Sequence, residues 1–221
     1  MILRGPRLLP LLLGVLLAAR ALADERLDAI AALLRIESPV VAARVSLGGG
    51  RELWAIDGVR IGQHLALALT PDAPEGAALL VSAPPLATLE IGLAPFVPAS
   101  HLVEARVTEI ATDVTTVSRQ TTELILRTGP AGVEVACQLP GASQIRPVPG
   151  PCGAGSSRTV QIEQEPNPAN PEVIRIRVVT RDSDDRTVAS GAGCDRVGLP
   201  AYDPTYAHYE IGKTGMCTLL P

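Results

Sequence analysis

Residues 103–124 read VEARVTEIATDVTTVSRQTTEL, and the secondary structure they adopt decides the fold class. Val103, Val107, Ile110, Val114, Val117, Thr121 and Leu124 recur at alternating spacings of four and three, which is the seam of an amphipathic helix. Thr108, Thr112, Thr115, Thr116, Thr121 and Thr122 join the valines in a β-branched run, whose side chains lose rotamer freedom in a helix and suit a pleated surface. The β-branched content outweighs the spacing, so strands are expected here. A helix would instead make the chain α+β.

The flanking sequence points the same way. Glu123 to Arg127 and Val133 to Cys137 enclose Thr128-Gly129-Pro130-Ala131-Gly132, a hairpin turn by composition. Further on, Val160 and Ile162 alternate with Thr159, Gln161, Glu163 and Glu165, while Ile174, Ile176 and Val178 alternate with Arg175, Arg177 and Arg181. Joined antiparallel across Pro166 to Pro171, the two runs put their apolar residues on one face and set Glu163 and Glu165 near Arg175 and Arg177 on the other. Cross-strand glutamates of this kind neutralise the arginines, at a few tenths of a kcal/mol per pair, roughly, so the stripe reads as a solvated strand face.

Earlier in the chain, Val41, Ala43, Val45 and Leu47 follow a period of two and are expected to share one face, with Gly48-Gly49-Gly50 turning the chain. Val59, Ile61, Leu65, Leu67 and Leu69 fit further strands. The segments Pro71 to Gly76, Pro84-Pro85 and Ala94 to Ala99 are turns or loops by their proline and glycine content. Ahead of them, Leu27, Ile30, Ala31 and Leu34 recur at helical spacing behind the acidic first turn of Asp24, Glu25 and Asp28, so residues 24–38 are expected to form a short amphipathic helix closed by Pro39. The fold class is therefore mainly β: an antiparallel β-sandwich with a short N-terminal helix. Residues 39–221 form one large β unit or two small ones divided near residue 99, into 39–99 and 100–221.

The first 23 residues read as an export signal. Arg4 and Arg7 supply the positive end, Leu8 to Ala19 the apolar run and Ala21-Leu22-Ala23 the small-x-small cleavage pattern. The apolar run is about a dozen residues and Arg20 follows it, whereas a span takes roughly twenty, so no transmembrane segment is expected after cleavage and the protein is placed in the periplasm or outside the cell. Removal of residues 1–23 takes away Arg4, Arg7 and Arg20 and no acid, so 19 basic residues fall to 16 against 23 acidic ones, a formal charge of −7. A nucleic-acid binder carries a basic surplus or stripe, and this chain carries the reverse.

All four cysteines, Cys137, Cys152, Cys194 and Cys217, follow the signal, and an oxidising compartment makes them disulfides. Four cysteines allow three pairings. The shortest loops join Cys137 to Cys152 and Cys194 to Cys217; the first would clasp CQLPGASQIRPVPGPC, a proline-rich surface loop, and closing about fifteen residues stabilises by roughly 3 kcal/mol in the chain-entropy account. The core is short of rings, since Trp54, Phe96, Tyr202, Tyr206 and Tyr209 are all its aromatics, so crosslinks supplement it. A zinc or redox centre wants Cys-x-x-Cys or neighbouring histidines, and His64, His101 and His208 are scattered. No metal site and no cofactor are assigned.

Catalytic patterns are weak. Neither Ser156 nor Ser157 has the flanking glycines of a nucleophile elbow, and no phosphate-binding glycine loop occurs. Asp182-Ser183-Asp184-Asp185 lacks the glycine and distant glutamate of a calcium loop and reads as a polar hairpin turn. The densest feature is AYDPTYAHYE over 201–210, with three of the five aromatics. Tyrosines present a flat apolar body and a hydroxyl, which makes Tyr202, Tyr206, His208 and Tyr209, in the loop between Cys194 and Cys217, the candidate surface for a protein or glycan partner. The chain is accordingly expected to be an exported, non-catalytic binding or structural protein of the cell envelope or extracellular space. Two alternatives stand beside that reading: a secreted hydrolase with His64 or His208 as base, and an assembly subunit that docks a partner through its N-terminal helix.

Overall fold

The computed structural model describes residues 25–96, 101–147, 154–170, 172–190, 193–198, 202–212 and 217–220. One helix, α1, covers 25–34, and the remaining structure is strands, all paired antiparallel. The helix stops earlier than Pro39 because Arg35 turns into the left-handed region (φ 55°) and the Ile36 N–H bonds the Ala31 carbonyl at 2.9 Å, a Schellman cap. Residues 1–24, and with them the expected export signal, lie outside the described residues.

The first sheet has the order β1 (Glu37–Gly48), β2 (Arg51–Arg60), β3 (Gln63–Thr70), β4 (Ala73–Ala83). Leu53 and Ala55 on β2 face inward while Trp54 and Ile56 face outward, and all four are buried, because α1 lays Leu27, Ile30 and Leu34 over the outer side. Arg44 stacks its guanidinium 4.5 Å from the centre of the Trp54 ring. The expectation that Val41 shares a face with Val45 and Leu47 is corrected: pairing slips one residue between Val41 and Ala43, so Val41 joins the helix-covered side and Val45 and Leu47 the inner core. Two strand boundaries also differ from what composition implied, in opposite directions. The β4 strand already begins at Ala73, and Ile61 sits in the β2–β3 turn rather than in a strand.

Residues 103–124 are strands. β5 (Thr88–Pro95), β6 (Leu102–Thr112), β7 (Thr116–Gly129) and β8 (Gly132–Leu139) pair in sequence, and the hairpin between β6 and β7 closes on Asp113, whose carboxylate accepts the Thr115 and Thr116 backbone N–H groups at 2.6 and 2.8 Å. These strands form the middle layer. Leu124 and Leu126 reach the core against the first sheet, with Leu53, Ala66, Leu80, Val103 and Val107. Between them Ile125 points the other way, into a second core with Phe96, Leu102, Leu139, Ile176, Val178 and Ile211. The first core thus draws on residues from both sides of position 99.

A short strand, β9 (Ser143–Pro147), carries the sheet around a corner. It pairs with β7 on one side and with β10 (Ala154–Glu165) on the other, and β11 (Ile174–Ser190), β12 (Gly193–Gly198), β13 (Thr205–Ile211) and β14 (Thr218–Leu219) extend the sheet beyond β10. Gly141 makes the corner possible, since a Cβ there would stand 1.6 Å from the Thr121 carbonyl oxygen. The 137–152 segment is therefore not simply a surface loop: its middle is the strand that joins two layers, while residues 148–153 lie outside the described set. The stack is helix, first sheet, β5–β8, then β10, β11 and β13.

The disulfide follows from that stacking. Cys137 on β8 bonds Cys217, just ahead of β14, with a Cα separation of 5.0 Å. Both shortest-loop pairings are thereby overturned. Cys137 points into the second core, where its neighbours come from β11, β13 and the C-terminal segment, and Cys217 N–H also bonds the Ala136 carbonyl at 2.8 Å. The bond pins the third strand layer to the second.

Candidate functional site

The hairpin of β10 and β11 has the register that alternation predicts, with Glu163 opposite Arg177 and Glu165 opposite Arg175. β11 does not turn at Asp182 to Asp185, which corrects the hairpin-turn reading; the strand runs straight through, with Asp182 opposite Arg158 and Asp184 opposite Ser156. Arg158 donates two hydrogen bonds to the Asp182 carboxylate at 2.7 and 2.9 Å. Those bonds and the opposite charge hold the Asp182 carboxyl below its ordinary range and the Arg158 guanidinium above its own. Polar pairing thus continues the ladder past the end of the apolar core.

Three of the four candidate residues lie on a strand rather than in a loop. β13 pairs with β11, setting Tyr206 opposite Val179, His208 opposite Arg177 and Tyr209 opposite Ile176. Alternation then divides them. Tyr209 packs into the second core with Ala207 and Ile211, whereas Tyr206 and His208 stand on the outer face with Glu210. Tyr202 lies before the strand, 59% exposed; its hydroxyl donates to Asp184 at 2.7 Å and its N–H to the Asp182 carbonyl at 2.8 Å. The Asp184 hydrogen bond raises the Tyr202 phenol above its usual range. The structure thus brings Tyr206 and His208 together, assigns Tyr209 to packing and uses Tyr202 to tie the approach to β13 onto β11.

Around Tyr206 and His208 the face is a connected set of charges. Arg177 donates through Nε to Glu163 at 3.0 Å and lies 3.7 Å from Glu165; Glu165 is 3.3 Å from His208 Nδ1; Arg175 donates to Glu210 at 2.6 Å. The hydrogen bond that Arg177 donates to Glu163, and then the Glu163 charge, raise the Arg177 guanidinium above its ordinary value. Tyr206 is 58% exposed at one end of this network, while Val179, between Gln161 and Tyr206 on the same face, is only 5% exposed. A flat aromatic ring beside paired charges on a rigid sheet is the result. Glu163, Glu165, Arg175 and Arg177 form the solvated, charge-paired strand face that alternation predicts, and the alternation of Tyr206, His208 and Glu210 on β13 extends that face.

His64 is placed elsewhere. Its Nδ1 lies 2.8 Å from the Ala87 carbonyl oxygen and its Nε2 contacts the Asp57 carboxylate, so both ring nitrogens face protein groups. His208 has one nitrogen on Glu165, and among the described residues no serine or threonine hydroxyl bonds to it. Among the described residues no group of three His, Cys, Asp or Glu side chains is arranged to hold a metal ion, and no helix is long and apolar enough to cross a membrane. The apolar stripe of α1 is spent on the first sheet. No family model, curated protein or solved structure matches this chain.

Proposed function

We propose that the protein is exported to the periplasm or the cell exterior and works there as a non-catalytic binding protein of the cell envelope, recognising a protein partner through the outer face of β10, β11 and β13. The leader-like first 23 residues and the Cys137–Cys217 crosslink support the compartment, since disulfides persist where the environment is oxidising. The observation that carries the binding reading is Tyr206, held 58% exposed on a regular strand next to Arg177 and His208. Tyrosine and arginine are enriched where protein surfaces meet, because a large rigid ring and a planar guanidinium bury much area for little lost freedom. The face is flat and of mixed charge, which fits a complementary protein surface better than the concave site a small ligand needs.

The test is affinity capture of envelope proteins by the mature chain, by Tyr206→Ala and by Arg177→Glu, followed by titration of the captured partner. One partner, bound by the parent and weakened roughly thirtyfold by Tyr206→Ala at unchanged melting temperature, is the expected result, as for a tyrosine worth about 2 kcal/mol. A partner that both variants hold equally well defeats the reading. Saturable binding to envelope polysaccharide that depends on Tyr206 would replace the protein partner with a glycan.

A further inference from the structure

The opposite outer layer carries an apolar groove. α1 covers only part of the first sheet, and beside it a cavity of about 470 Å³ opens between Leu34, Leu65, Leu67, Ala77 and Leu79. Leu65 and Leu67 form the floor, 6% and 7% exposed, while Leu79 is 54% exposed on the wall. At the mouth stands Ile61, 91% exposed. Its backbone is left-handed, φ 49°, in the two-residue turn that Gly62 completes between the paired Arg60 and Gln63. Such a turn favours asparagine, aspartate or glycine at its first position, and a β-branched side chain there is strained. No packing among the described residues repays that strain, because the Ile61 side chain is 91% exposed. Local violations of this sort belong to surfaces that do something.

The charges at the groove say what fits it. Arg60 lies at one end and Glu75 at the other, and neither is paired with another described residue. A two-fold axis lying in the plane of the contact, perpendicular to the length of the groove, exchanges its ends, so a second copy brings its Glu75 to Arg60 and its Arg60 to Glu75 while the two apolar floors close on each other. That self-complementarity is what an isologous interface requires. We propose that the protein forms a two-fold homodimer through this groove, with Ile61 of each copy set against the Ala77 and Glu75 end of the other's groove. The face bearing Tyr206 lies on the far layer of the stack, so a dimer would present two such faces outward and gain avidity for a repeating partner.

The patch is small, so the association is expected to be of moderate strength, and sedimentation equilibrium of the mature protein from roughly 1 to 100 µM covers the range. The expected result is a monomer–dimer equilibrium. Ile61→Asn, which suits the turn, should abolish the dimer while leaving the melting temperature of the monomer unchanged or higher. Arg60→Glu should weaken dimerisation about tenfold or more, and adding Glu75→Arg to it should restore the parent affinity. A parent chain that stays monomeric throughout, a dimer that survives Ile61→Asn, or a charge-exchanged double variant no tighter than Arg60→Glu overturns the proposal. Because the Tyr206 face plays no part in these measurements, they stand or fall apart from the binding reading above.

Discussion

Cys137 and Cys217 are joined across 80 residues of sequence, and the bond crosses from the middle strand layer to the C-terminal end of the third. Closing a loop of that length removes unfolded-chain entropy equivalent to about 4.5 kcal/mol in the simplest account. Cys137 is 2% exposed while Cys217 is only partly buried, so the rate of reduction reports access to the Cys217 sulfur as well as stability. The paired replacement Cys137→Ala with Cys217→Ala is therefore the cleaner probe. For a domain of this size it should lower the melting temperature by about 10 °C or more, and a change under two or three degrees would show that packing alone holds the third layer.

That bond also narrows the remaining pairing. With Cys137 and Cys217 joined, Cys194 is the only cysteine left for Cys152, both of whose side chains lie outside the described set. Peptide mapping of natively produced material is expected to give two crosslinked species, Cys137 with Cys217 and Cys152 with Cys194. A Cys137–Cys152 peptide would be incompatible with the fold.

How much of this was legible follows from what each feature depends on. Glu163 opposite Arg177 was readable because a two-stranded register depends only on local alternation, and two independent patterns agreed on it. In residues 103–124 the helical seam required Val114 to be buried, yet it is 93% exposed at the β6–β7 turn, where Asp113 accepts the N–H groups that follow. β-branching was the better guide. Cys137 and Cys217 were not readable as a pair, because their meeting depends on which sheets stack, and loop length carries no information on that. The slip at Ala42 and the close approach at Gly141 ahead of β9 are single-residue events that a period-two pattern hides. In the candidate site, Tyr206 and Tyr209 looked alike in composition; only their parity on β13, with Ala207 and Ile211 on the side of Tyr209, separates surface from core.

Gly76 on β4 and Gly132 on β8 touch backbone to backbone where the first sheet meets the middle layer. A Cβ on Gly76 would lie 2.0 Å from the Ala131 carbonyl oxygen and 2.7 Å from Gly132 Cα, atoms that no side-chain rotation can move aside. Gly76→Ala must push the two layers apart. Overpacking of this kind costs about 2 kcal/mol, to be read as a lowered urea midpoint with little change in slope. Gly92→Ala is the control, because nothing lies within 4 Å of a Cβ built there and its φ needs no glycine.

Glu123 is a buried carboxylate on β7, 3% exposed, with Arg106 Nε donating to one oxygen at 2.6 Å and the other oxygen buried without a hydrogen-bond partner. Burial raises its carboxyl above the ordinary 4.5, against the hydrogen bond and charge of Arg106, which lower it; the nearby Glu104 charge adds to the rise. The folded chain then binds this proton more tightly than the unfolded chain does. Stability due to this group is highest in acid and falls as pH rises from about 4.5 through the raised value, where the buried oxygen becomes charged. Glu123→Gln keeps the shape and removes the titration. Its melting temperature relative to the parent should therefore move in favour of the variant as pH rises from about 4.5 through the raised value. A difference that stays flat with pH, or moves toward the parent, would mean that Arg106 compensates fully for the unpartnered oxygen and that the carboxylate is at home where it lies.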